Sequence, residues 1–209
     1  MISNRMESWQ AQHVRPAVRV FSILLLIAGI AALAYVAYVL VSAAYFQARE
    51  SRKLHHAMSE PMPAATPKAE ARVVIEGDVI GQIDVPRIGL TAIVVQGDSD
   101  DVLRRAVGHV PETALPGQTG NIALAGHRDT IFRPLRDIQV GDVISLKTPV
   151  GDHAYRVNST EVVPPTDIGV LQSRGENELT LITCFPFHYI GHAPNRFIVR
   201  AEEVGPTPK

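Results

Sequence analysis

The chain has 209 residues, 46% of them hydrophobic, and a formal net charge of -1. That supports one good core but is short for two full domains once a membrane segment is set aside. Past Val73 there are 17 acidic residues against 12 Lys or Arg, so no broad basic footprint for nucleic acid is present, and the single cysteine excludes an intramolecular disulfide and a thiolate zinc cluster.

The first organised feature is VFSILLLIAGIAALAYVAYVLVSAAYF, Val20 to Phe46, 27 residues without a charge. As a helix it is about 40 Å long, enough to span a bilayer and longer than the apolar core of a cleaved signal peptide. The expectation is a retained signal anchor over 20–46, preceded by a short N-terminal segment, 1–19, which is cytoplasmic if the barrel acts outside. Arg5, Arg15 and Arg19 lie before the span and Arg49, Arg52 and Lys53 after it, so the flanking charges do not set its orientation. Residues 47–72 are polar, with Pro61, Pro63 and Pro67, and read as a stalk whose first turns continue the anchor helix.

From Val73 the pattern changes. Short apolar or alternating runs, VIGQIDVP, LTAIVV, NIALAGH, DVISLKT, HAYRVNSTEVV, ELTLITC and RFIVRA, are rich in Val, Ile and Thr and are broken by Gly, Pro, Asp and Asn. These are strand signals. SDDVLRRAV, Ser99 to Val107, has a capping serine, early carboxylates and a following Gly108, which predicts a short helix, and a second helical turn is expected around Phe132 to Arg136. The fold class is therefore all-β. Seven or eight strands over 73–204 are best protected at their edges by a closed or nearly closed barrel with one or two short helices, followed by a tail at 205–209.

Strand alternation then sorts the side chains. Leu179, Leu181 and Thr183 fall on one face of ELTLITC, while Thr180, Ile182 and Cys184 fall on the other, less apolar one. Cys184 should lie outside the core at the strand's end, walled by Phe185, Pro186, Phe187 and Tyr189. In NIALAGH, Ile122 and Leu124 point inward and Ala123, Ala125 and His127 outward, the small alanines leaving room for an extended ligand. In RFIVRA, Phe197 and Val199 suit the core, and Arg196, Ile198 and Arg200 take the other face. A thiol, an imidazole and a guanidinium at strand ends are the parts of acyl transfer: a nucleophile, a proton carrier and a donor for a developing oxyanion. Among the alternatives, His109 is the second choice for the histidine. His188 and His192 have the spacing of a helical metal pair, but Pro186, Gly191 and Pro194 argue against a helix, so no metal site is expected. Arg104, Arg105, Arg128, Arg133 and Arg136 read as a solvated face.

Together, TLITC (Thr180 to Cys184), GHRDT (Gly126 to Thr130) and APNRFIVRA (Ala193 to Ala201), with the arginine twelve positions after the cysteine, resemble the sortase family, most closely its class D type. The resemblance covers nearly all of Val73 to Val204. It implies a membrane-anchored β-barrel cysteine transpeptidase that cleaves a Leu-Pro-x-Thr-Gly-like sorting signal through a thioester and passes the acyl group to an amine, with hydrolysis as a side reaction. Cys184 would be the nucleophile, His127 the acid/base and Arg196 the oxyanion or substrate-holding residue. Ala123, Ala125, Ile182, Thr183 and Phe185 are the expected substrate contacts. The implied partners are envelope proteins bearing the signal and an amine acceptor, with no cofactor, no metal and no nucleic acid. The implied location is the cytoplasmic membrane, single-pass, with the catalytic domain outside. Two other readings are a cysteine L,D-transpeptidase, whose Ser-x-Gly-Cys-x-Arg pattern this chain lacks, and a membrane-tethered β module that binds envelope ligands without catalysis.

Overall fold

The computed structural model describes residues 3–59, 74–175, 177–189 and 191–205, with side chains in the first of these segments described from 18 to 54. The remainder of the expected stalk, 60–73, and the tail from 206 lie outside the described residues. Two compact units result, Met1–Ser42 and Ala43–Lys209.

The first unit is helical. Helix α1 runs Ser3–Ser59, and the stretch Val18–Leu54 has a window of mean hydropathy 2.6, long and apolar enough to cross a membrane. Its apolar side chains from Phe21 to Tyr38 are exposed.

The second unit is a closed eight-stranded barrel. Its strands are β1 (Val79–Val85), β2 (Leu90–Gln96), β3 (Val107–His109), β4 (Gly120–Ala125), β5 (Val143–Thr148), β6 (Gly151–Val163), β7 (Asn177–Phe185) and β8 (Asn195–Gly205). The order around the barrel is β1-β2-β3-β4-β7-β8-β6-β5. All neighbours are antiparallel except β2 with β3 and β4 with β7. The β5–β6 hairpin is thus inserted in sequence between β4 and β7, which lie side by side in space. The seven expected strand runs all form. The three-residue β3 begins at the last residue of the region read as helix: α2 covers only Asp100–Leu103, and Val107–His109 pair with Val94–Gln96. The second expected helical turn is a 3-10 segment, Arg133–Asp137.

The main core holds Ile83 from β1, Ile122 and Leu124 from β4, Leu179 and Leu181 from β7 and Val199 from β8, together with Phe132, Leu146 and Tyr155. Ile182 and Ile198, one residue out of phase, belong to a separate cluster with Val163 and Val170 on the outside of the sheet. The 3-10 turn Ile168–Leu171 covers that outer face, and Asn121 ties it down, its Nδ2 donating to the carbonyls of Val170 (3.3 Å) and Leu171 (3.1 Å).

The stalk reading needs correction over its first turns. The end of α1 belongs to the barrel unit: Leu54 is buried with Ile93, Val95, Val102 and Ala106, and Phe46 packs against the same cluster. Gln47 accepts from the Ile93 amide (2.7 Å) and donates to the Arg105 carbonyl (2.6 Å), while Ser51 donates to Gln82 (2.9 Å). Polar composition suggested free chain, yet here the polar side chains complete hydrogen bonds that the sheet leaves open. Parallel pairing with β3 begins only at Val94, so the Ile93 amide takes a side chain in place of a strand.

Candidate active site

Cys184 is a free, half-buried thiol at the penultimate position of β7. Its partner across the antiparallel β7–β8 ladder is Arg196, in the same register that pairs Ile182 with Ile198 and Thr180 with Arg200. Directly opposed residues share a face and stand about 4.5–5.5 Å apart at Cα. Since Ile182 and Ile198 pack outside the main core, Cys184 and Arg196 emerge on the same outer face. Nη1 of Arg196 donates to the carbonyls of Asn195 (3.1 Å) and Ala193 (3.5 Å); Nε and Nη2 have no hydrogen-bond partner among the described residues, so donors remain for a ligand.

His127 reaches this face from β4. The parallel ladder pairs Ala123 with Thr180 and Ala125 with Ile182. It continues one step beyond the strand, because the Gly126 amide donates to the Ile182 carbonyl at 3.1 Å and the Thr183 hydroxyl donates to the Gly126 carbonyl at 2.7 Å. Extending that register by one residue sets His127 beside Cys184. The chain then turns away, the Phe132 amide donating to the His127 carbonyl at 3.0 Å. Gly126 is required for this path, since a Cβ there would sit 2.7 Å from the ring of Phe132, which is fully buried. His127 is half-buried, and its imidazole has no hydrogen bond to another described residue. A thiol near the end of β7, a guanidinium at the start of β8 and an imidazole two residues past the end of β4 thus come from three neighbouring segments at one end of the barrel.

The family model for the sortase domain matches residues 83–204, more than half of the chain. The chain belongs to the sortase family. It is 35% identical over 129 residues to sortase D of Bacillus subtilis, covering 61% of this chain and 65% of that protein, and 30% identical over 135 residues to sortase A of Bacillus anthracis, covering 63% and 62%. It therefore spans slightly less than two thirds of the length of these curated relatives. Among solved structures, a Clostridium perfringens sortase D5 transpeptidase superposes with a TM-score of 0.58 at 34% identity, covering 63% of this chain and 82% of that one. A Clostridium perfringens sortase C solved with the C-terminal cell wall sorting motif gives 0.59 at 31% identity, covering 64% and 74%.

Within this sortase the expected substrate contacts divide. Ala125, Ile182 and Phe185 keep partial exposure. Ala123 is 0% exposed and Thr183 2%, so both are buried. Ala123 is sealed by the segment before β4: the Thr113 hydroxyl accepts from its amide (3.2 Å), and the Val110 amide donates to its carbonyl (2.9 Å). Thr183 faces inward and holds Gly126 instead. Phe185 also leaves the thiol's face, joining Phe187 and Phe197 in an aromatic cluster with ring centroids 5.4 to 6.3 Å apart.

His109, the second candidate histidine, pairs with Leu124 and is buried, with Nδ1 2.9 Å from Gln96 Oε1 and Nε2 2.9 Å from the Ala114 carbonyl. Burial lowers its pKa, partly opposed by the Ala114 carbonyl and the charge of Asp98. It is a structural histidine. No group of three or more His, Cys, Asp or Glu among the described residues is arranged to hold a metal. A cavity of about 780 Å³ lined by Asp152, His153, Arg174, Glu178 and Arg200, among others, contains none of Cys184, His127 and Arg196. The residue that sequence reasoning missed is Arg128, read as part of a solvated face. It bonds backbone carbonyls roughly sixty positions further along, and no local pattern announces such partners.

Proposed function

We propose that this sortase is a membrane-anchored cysteine transpeptidase. The observation that carries the reading is the strand register, in which Cys184 opposes Arg196 and the Gly126–Ile182 bond brings His127 alongside. The Cys184 sulfur, its proton passed to His127, attacks the carbonyl carbon of the scissile peptide, and the Arg196 guanidinium donates to the oxygen that becomes negative. As the C–N bond breaks, His127 delivers a proton to the departing amine, leaving a thioester on Cys184. An incoming amine then attacks the thioester, His127 takes its proton, and the sulfur leaves; water in place of the amine gives hydrolysis.

The substrate class is a Leu-Pro-x-Thr-Gly-like sorting signal, supported by the family and by the sorting-motif complex of the similar Clostridium perfringens sortase C. Envelope substrates and acceptors place the barrel outside, with the N-terminus cytoplasmic. The test is the full chain in detergent with such a peptide and an added amine. Cleavage with increased ligated product is expected, and Cys184→Ala should abolish both, since no second thiol exists. Residual cleavage by that variant would overturn the assignment of the nucleophile.

A further inference from the structure

Arg128 follows His127 directly, and its guanidinium reaches across to the segment that follows Cys184. Nη1 donates to the carbonyl of Pro186 at 3.0 Å, and Nη2 donates to those of Tyr189 at 2.7 Å and Gly191 at 3.1 Å. The same guanidinium lies 5.9 Å from the centroid of the Tyr189 ring. Among its described residues, the connection 186–194 between β7 and β8 has neither a helix nor a strand of its own, and Pro186, Gly191 and Pro194 deny it a regular ladder. Its carbonyls converge on one planar cation, and a guanidinium, with donors diverging in a fixed fork, can serve three acceptors at once.

We infer that Arg128 is a positioning residue that fixes the loop following the thiol. On the near side it is one peptide bond from His127, whose own backbone is set by Gly126 against Ile182 and Thr183. On the far side it holds the chain that leaves Cys184. This side chain therefore ties the loop carrying the imidazole to the loop leaving the thiol, beside the packing of Phe187 against Phe185 and Phe197. The sheet alone does not do this: the β4–β7 ladder ends at Ala125 and Ile182, and beyond it the cross-links among the described residues are the Gly126 and Thr183 bonds and the Arg128 fork. The partners are main-chain carbonyls, so the cation is oriented without a carboxylate and adds no negative charge near the thiol. The consequence for chemistry is geometric. A reacting centre misplaced by about 1 Å costs on the order of 10²-fold in rate.

This inference rests on the transpeptidase reading for its activity arm, and its other arms are independent of it. In the full chain in detergent, Arg128→Ala and Arg128→Lys are compared with the wild type by three measurements. Chymotryptic cleavage after Phe187 and Tyr189 should accelerate and leave β7 and β8 resistant. The rate of alkylation of Cys184, the only thiol, by iodoacetamide should change by at least about threefold while the melting temperature stays within a few degrees. Peptide cleavage per alkylatable thiol should fall by about 10- to 10²-fold, with Arg128→Lys recovering little, because an ammonium cannot reproduce the fork. Unchanged chymotryptic cleavage after Phe187 and Tyr189 with unchanged alkylation would overturn the proposal, even if the wild type cleaves no peptide of this kind. Chymotryptic cleavage that accelerates throughout the barrel would also overturn it, by making Arg128 a general stabiliser. Inactivity of the wild type with the loop effects intact would instead count against the substrate reading and leave the positioning role standing.

Discussion

Replacing Leu54 by alanine tests whether the end of α1 is part of the catalytic domain. Leu54 is 6% exposed and contacts a cluster of Ile93, Val95, Val102 and Ala106, with Phe46 and Val79 at its margin. A buried Leu→Ala change costs about 2–5 kcal/mol, and the lower part of that range applies where the cavity opens between one helix and one sheet face, giving about 2–3 kcal/mol. For a domain of this size each kcal/mol moves the melting temperature by about 2–4 °C, so a drop of about 4–12 °C is expected. The assay is thermal unfolding of a fragment beginning at Ala43, which omits the membrane-length stretch, followed by circular dichroism. A second fragment beginning at Val74 loses Gln47, Ser51 and Leu54 together. It should melt lower still and associate through the exposed faces of Ile93, Val95 and Val102. If both fragments and the Leu54→Ala variant melt within about two degrees of one another, the helix end contributes nothing to the fold and the stalk reading returns for the whole of 47–72.

Further outcomes follow from the site and its supports. Thr183→Val keeps the volume but removes the donor to the Gly126 carbonyl, and should cost about 1–2 kcal/mol in urea unfolding while slowing peptide cleavage. Gly126→Ala would drive a Cβ to within 2.7 Å of the buried Phe132 ring, and should destabilise by about 1–3 kcal/mol, measured by thermal unfolding. His109 has a folded pKa below its ordinary value, so its contribution is full above about pH 6.5 and declines as pH falls toward the folded pKa; the urea midpoint should drop from about pH 7.5 to about pH 5, and His109→Gln should flatten that slope. Asp142 has its carboxyl held below the usual range by the Arg87 guanidinium, so its contribution is present above about pH 4 and lost on further acidification; Asp142→Asn should lower the melting temperature at neutral pH and reduce its acid dependence.

Much of this molecule was decided by local pattern. Alternation alone separates Leu181 and Val199 from Ile182 and Ile198, and the structure places the first pair in the main core and the second in the outer cluster. The same parity puts Cys184 and Arg196 on one face, because a period of two is imposed by the pleat of each strand whatever its neighbours are. A charge-free run of membrane length is likewise a property of composition. Alternation does not say what covers a face. Ala123 and Thr180 lie on the outward parity as expected, yet both are sealed. The segment before β4 closes over Ala123, and Thr180 donates at 2.8 Å to Asn121, which in turn holds the Ile168–Leu171 turn in place. Nor could a three-residue strand such as Val107–His109 be read, for it has too few residues to show a period and exists only because β2 and β4 flank it. Gln47, Ser51 and Arg128 are the clearest cases. Their composition says surface, and only tertiary structure supplies the amide of Ile93, the side chain of Gln82 and the carbonyls after Cys184, because a polar group's role is set by partners that lie tens of residues away along the chain and close to it in space.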